Sequence, residues 1–265
     1  MKSRSLGVMI LLGLLFAVTP GFGQEASEAE LAKKTQNPVS DLISLPFQNN
    51  LNLGYGPENE VQNILNIQPV VPLSLSSDWN LITRTILPVI HTDWPIDGNG
   101  LGDLNISLFL SPAKSGKIIW GLGPVIAMPT ATDDLIGSGK WSTGPTAVVL
   151  TMPGRWVVGI LANHLWDFAG QSDRSHVNAT LIQYFINYNL PDGWYLSSAP
   201  IITANWSADS SRDIWTVPFG GGGGKIFRIG KQPMNAQLQA FYNVEKPQVG
   251  PDWTLRFQLQ FLFPK

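Results

Sequence analysis

An all-β chain folded as an antiparallel, up-and-down transmembrane β-barrel of about 12 strands, with a short helical N-terminal segment, is predicted by three features of the sequence. In the closing stretch 252–263, Trp253, Leu255, Phe257, Leu259, Phe261 and Phe263 share one face at period two. Thr254, Arg256, Gln258 and Gln260 share the other, and only Leu262 departs from the pattern. One apolar and one wet face suit a strand between lipid and an aqueous lumen, closed against the first strand so that no edge is left unpaired. Connections alternate in length: short at 77–78, 113–116, 153–154, 191–193 and 228–231, longer at 56–61, 91–100, 129–143, 167–176, 207–213 and 244–251. Short turns on one side and long loops on the other mark outer-membrane barrels. The tryptophans gather at strand ends, Trp79, Trp120, Trp156 and Trp194 by short turns, Trp166, Trp206, Trp215 and Trp253 by long loops. That distribution matches two interfacial aromatic girdles. Trp94 and Trp141 fall in the long loops.

From the N-terminus, Lys2 and Arg4 precede an apolar run over 6–18 and then Pro20-Gly21-Phe22-Gly23. This is the order of a secretory signal peptide, 1–23, directing export to the outer membrane of a Gram-negative cell. Residues 24–46 read as a helical periplasmic lead-in or plug. Ser27 and Glu30 have capping-box spacing, and Asn37-Pro38 is placed to start a second short helix through Leu45. Residues 47–265 form the barrel. Its strands are expected at 48–55, 62–76, 80–90, 101–111, 117–128, 144–152, 155–166, 177–190, 194–206, 214–227, 232–243 and the closing stretch. Pro69, Pro72, Pro88, Pro124, Pro200 and Pro218 interrupt these strands, and each removes a ladder donor. Kinks at Pro88, Pro124 and Pro200 raise the expectation of a lateral exit from lumen to bilayer.

Composition narrows the class further. With 14% charged residues, 10% aromatics, no cysteine and a formal net charge of −2, the chain is neither disordered nor disulfide-stapled, and nucleic acid is not an expected partner. Expected partners are outer-membrane lipid and lipopolysaccharide, the barrel-assembly machinery through the C-terminal strand, and a small-molecule solute.

No motif supplies a cofactor, metal or catalytic site. The glycines at 220–224 precede Lys225, but a phosphate loop needs a glycine where Phe219 stands and a hydroxyl where Ile226 stands. They are read as a thin, bendable strand leaving room in the lumen for loops or the N-terminal segment. His91, His164 and His176 map to the rim without metal-ligand spacing. A lipid-facing arginine at the midplane costs about 2–4 kcal/mol, so Arg84 and Arg256 are assigned to the lumen. With Asp103, Asn105, Gln258 and Gln260 they form the expected lumen lining. Acids greatly outnumber bases in the long loops, where Asp93, Asp133 and Asp134 make an acidic mouth expected to favour cations.

The stretches QNPVSDLISLPFQNN, LNIQPVVPLSL, DWNLITRTILPVI, GPTAVVL, ANHLWDFAG, FINYNLPDGWYL and GPDWTLRFQLQFLFPK resemble the bacterial outer-membrane family filed under the meta-pathway of phenol degradation, whose members are often misnamed neuromedin U. The resemblance implies a transporter-like barrel linked to uptake of aromatic or other apolar compounds, and it brings no catalytic or binding residues with it. The expected function is thus passive uptake of small, apolar or aromatic molecules by a non-enzyme. Two alternatives compete: an outer-membrane lipid-modifying enzyme with a rim His/Ser site, and a soluble periplasmic β-sandwich that binds sugars or lipids.

Overall fold

The computed structural model describes residues 27–95, 98–114 and 116–264; the signal-peptide assignment, 1–23, lies outside them. Strand β1 (Ile43–Tyr55) pairs antiparallel with β12 (Trp253–Phe263), in a register running from Ile43 opposite Phe263 to Leu53 opposite Trp253. The closing stretch thus meets the first strand over its whole length. Between them run β2 (Glu60–Ile67 and Val70–Ser74), β3 (Trp79–Thr92), β4 (Gly98–Leu101 and Leu104–Pro112), β5 (Ile118–Met128), β6 (Lys140–Thr151), β7 (Trp156–Gly170), β8 (Asn178–Asn189), β9 (Trp194–Ser198 and Ile201–Asn205), β10 (Trp215–Ile229) and β11 (Gln232–Glu245). Each pairs with its sequence neighbours, giving a closed barrel of 12 antiparallel strands. A sheet closed on itself leaves no second sheet to pack against, so the sandwich alternative is not the fold.

Three strands are broken, at Gln68-Pro69 in β2, Gly102-Asp103 in β4 and Ala199-Pro200 in β9. Proline loses its donor but keeps its acceptor. Pro69 O accepts from Thr85 N at 3.1 Å, and Pro88 O accepts from Gly102 N at 2.9 Å. Pro124 faces Pro145 across β5 and β6, and Pro218 sits at a register shift against β11. Pro88, Pro124 and Pro200 belong to separated strands and do not line up into one seam, but at Pro200 the β9–β10 ladder itself opens, residues 198–202 having no register partner on β10.

Registers and burial sort the side chains into two faces. Leu122, Val149, Ile160, Leu196, Leu238 and Phe257 are exposed on the outside, alternating with buried inward residues such as Val148, Leu161, Gln239 and Arg256. Aromatic pairs stand near both ends of this band: Trp79 with Trp120 at 6.0 Å on the short-turn side, and Trp206 with Trp215 at 5.4 Å on the long-loop side. Lys225 lies 4.9 Å over Trp194, its stem along the apolar wall. Trp141 is not in a loop as predicted. It is the second residue of β6 and points outward, because β6 and β7 extend to Lys140 and Gly170.

Helix α1 (Glu28–Thr35) carries the predicted capping box: Ser27 Oγ accepts from Glu30 N, and Glu30 Oε2 accepts from Ser27 N. The second helix does not form. Asn37 Oδ1 accepts from Val39 N in a tight turn, and from Ile43 the backbone pairs with β12 instead, tertiary pairing overriding the local start signal. Barrel strand therefore begins four residues before the predicted boundary at Phe47. Leu31, Ala32 and Leu42 are buried against Ile226 and Leu262, both inward-facing. Leu262, the one break in the alternation of β12, is the residue that receives the helix. Val39 packs deeper, with Ile82, Phe109, Ile119, Val148, Leu150, Val157, Leu161 and Phe185. The N-terminal segment thus sits in the short-turn end of the lumen. Among the described residues, no helix is long and apolar enough to cross a membrane.

Candidate functional site: the lumen wall

The inner faces of β11, β12 and β1 form a ladder of amides. Gln237 stands opposite Gln258, which stands opposite Gln48; Asn235 stands opposite Gln260. Gln260 Oε1 accepts from Gln258 Nε2 at 3.2 Å and from Asn235 Nδ2 at 3.3 Å. Gln258 is half-buried and lines the lumen. Gln260 also faces inward, but it is buried in the wall and presents little surface to a solute.

Arg256 heads this ladder. Its Nε donates to Asn50 Oδ1 at 2.9 Å, its Nη1 donates to Ala199 O at 2.9 Å, and its guanidinium lies 4.9 Å over the Phe241 ring. Ala199 belongs to the break in β9, where a carbonyl is free of the ladder. The reach from β12 to β9 passes over Phe241 of β11 and then over β10, which at 220–224 has no side chains. Two further ties bypass β10 in the same way. Tyr195 Oη donates to Asn235 Oδ1 at 2.7 Å, and Gln239 Nε2 donates to Ser197 Oγ at 3.1 Å. A Cβ on Gly224 would stand 2.3 Å from Tyr195 Oη. The glycine run therefore makes room for these three side chains. Helix α1 seats next to the run, on Ile226 of the same strand.

Arg84 projects from β3 between Val70 and Ser107 and donates through Nη2 to Gln68 Oε1 at 2.8 Å. Unlike Arg256 it is only half-buried, and it shares its face with Ile82 and Ile86. Arg84 and Arg256 are near enough to repel one another. Among the described residues no carboxylate pairs with either: the ion pairs are Lys34–Asp41, His91–Asp93, Lys140–Asp167, His176–Asp167 and Lys246–Asp252. Asn105 stands opposite Ile86 and Ala127, inward and half-buried.

Asp103 does not line the lumen in the way predicted. Its carboxylate accepts from Ala131 N, Ser138 N and Ser138 Oγ, anchoring the loop 129–139 at the break in β4. The mouth acids have separate roles. Asp93 lies 3.5 Å from His91, Asp133 Oδ1 accepts from Leu135 N at 2.8 Å, and the Asp134 carbonyl accepts from Arg174. A recess at the long-loop end is lined by Ala179, Thr203, Asn205, Asp209, Thr216 and Gln248.

The histidines are partnered by Asn99 and Asp93 (His91), Thr180 (His164) and Asp167 (His176). None of these partners is a serine hydroxyl. Among the described residues, no three His, Asp or Glu side chains converge as metal ligands.

The closed antiparallel barrel is shared with solved outer-membrane proteins. An outer-membrane channel from Pseudomonas putida F1 superposes with a TM-score of 0.62 at 17% identity, over 84% of this chain and 94% of that one. The NanC porin superposes with a TM-score of 0.55 at 10% identity, over 83% of this chain and 100% of its own. No protein-family model matches the chain. No curated protein matches it in sequence.

Proposed function

We propose that this protein is an outer-membrane channel for the passive passage of small molecules. The observation that carries the reading is the division of one closed sheet into an apolar outer face and an inner face rich in amides and guanidinium groups. Only a barrel between lipid and water needs both. The resemblance to the phenol-degradation family points to apolar or aromatic solutes, and the inner wall, with amides on β11, β12 and β1 and Ile82, Phe109 and Val148 on β3 to β6, offers such solutes both polar and apolar contacts. The N-terminal segment is a plug on this reading, because its buried leucines occupy the short-turn end that a solute must pass. The exposed outer band is matched to outer-membrane lipid and lipopolysaccharide, and the aromatic C-terminal strand is the part offered to the assembly machinery.

The full chain, refolded in detergent and reconstituted in a planar bilayer, should give discrete conductance steps in KCl. It should also migrate faster on SDS gels unheated than boiled. A mature protein that is soluble and monomeric without detergent would overturn the proposal.

A further inference from the structure

We infer that the lumen holds a binding site for a small organic anion with an apolar body, and that Arg84 is its charge anchor. The inference rests on the channel reading above and deepens it by naming the chemistry of the solute.

Four observations support it. Among the described residues Arg84 and Arg256 face one lumen without a carboxylate partner, and two like charges there repel until an anion joins them. The two differ in availability. Arg256 is 6% exposed, with Nε and Nη1 both bonded and Phe241 beneath it, so it fixes the wall. Arg84 is half-buried and makes one hydrogen bond, to Gln68, which leaves most of its five donors for a ligand. Beside it, Val70 stands directly opposite on β2 and Ile86 is the next inward residue of β3, both half-buried, an apolar surface next to a guanidinium with donors to spare. A carboxylate on a small aromatic or aliphatic body satisfies both at once; a purely apolar solute leaves the charge unmet, and an inorganic anion leaves Val70 and Ile86 wet.

The acids of the rim do not cancel this site. Asp252 is paired with Lys246 at 2.9 Å, Asp167 lies between Lys140 and His176, and Asp103 is held by loop amides. Negative charge stays at the rim while positive charge stands at the wall, where a solute is closest. This argues for anions, against the cation preference expected from the mouth alone.

Benzoate and its neutral analogue benzamide are suitable probes. Equilibrium dialysis of the detergent-refolded full chain should show benzoate bound about 10-fold or more tightly than benzamide, the scale of one charge-assisted hydrogen bond. Arg84→Gln should abolish the difference, and Arg84→Lys should keep part of it. Each variant is first checked for heat-dependent gel mobility; should Arg84→Gln not fold, Arg84→Lys and the wild-type comparison still decide. In a planar bilayer across a KCl gradient, the reversal potential should favour chloride and lose that preference in Arg84→Gln. Equal binding of the two probes overturns the inference, as does cation preference indifferent to Arg84. Absence of any KCl conductance, with selective benzoate binding intact, overturns the channel reading instead.

Discussion

Tyr195 Oη donates to Asn235 Oδ1 at 2.7 Å across the backbone of Gly224, joining β9 to β11 over the strand between them. The bond explains why β10 carries consecutive glycines in a strand, where glycine is otherwise unfavourable. An aromatic ring laid over a glycine also shields a backbone that would be open to the lumen.

Gly224→Ala should therefore be among the most damaging small substitutions in the barrel. The added methyl would meet Tyr195 Cζ at 2.4 Å and the Ala236 carbonyl at 2.7 Å, so ring and ladder cannot both stay. Tyr195→Phe keeps the ring and strands the buried Asn235, at a cost of about 1–3 kcal/mol. Gly116→Ala, whose nearest neighbour would be 3.8 Å away, is the control and should be neutral. Urea unfolding midpoints of the lipid-reconstituted proteins, read by gel mobility, give the order.

The face assignment makes a sharper demand on two adjacent residues. Leu238 points outward opposite Phe257, whereas Gln237 points inward opposite Gln258. Leu238→Arg should cost about 2–4 kcal/mol if it lies near the bilayer midplane. Gln237→Arg should leave folding intact and change only conductance. Equal yields of folded protein from the two variants would contradict the assignment of faces.

Period-two alternation carried most of the architecture. In β12 it assigned Arg256, Gln258 and Gln260 to the inner face and the aromatic residues to lipid, because every residue of a barrel strand must choose one solvent or the other. It failed where one residue serves a partner that is distant in sequence. Leu262 reads as an error in the pattern until α1 is seen against it. Asp103 reads as a lumen charge until the amides of residues 131 and 138 close on it. The glycines at 220–224 read as flexibility because the side chains they accommodate come from β9, β11 and β12. Nothing in the alternation singles out Tyr195, Asn235, Gln239 or Gln68 as lumen residues. A glycine run beside a strand carrying an inward tyrosine was the one local signal available.

Asp103 makes its own prediction. Its carboxylate takes three hydrogen bonds from the loop 129–139, two of them backbone donors otherwise left unmet. Asp103→Ala should free this loop without opening the barrel. Brief proteolysis of proteoliposomes, with the cut sites mapped by mass spectrometry, should find new cleavage between residues 131 and 138. Cleavage equal to that of the wild type would mean that the other ties, from Arg174 to the carbonyls of Asp134 and Gly137 and from Thr130 and Thr132 to β4, hold the loop without it.

On the proposed channel reading, the N-terminal segment limits conduction through the lumen at rest. Leu31 and Leu42 are buried against Ile226 and Leu262, and each leucine so buried contributes about 1.5–3 kcal/mol. Gln36 and Asn189 exchange hydrogen bonds through their amides at 2.9 and 3.1 Å, a polar pin beside that apolar seat. Barrel strands do not depend on this segment for their ladders, since β1 to β12 pair without it. Removing residues 27–40 should thus leave a barrel that still shifts on unheated gels, with single-channel conductance several-fold higher than in the full chain. Leu31→Asp with Leu42→Asp should produce the same rise, because two carboxylates cannot remain in an apolar seat and the segment must leave it. Gln36→Ala should raise only the frequency of opening, since the pin is lost while the seat is kept. Unchanged conductance in both the truncated and the double-aspartate proteins would show that the segment lies beside the solute path rather than in it.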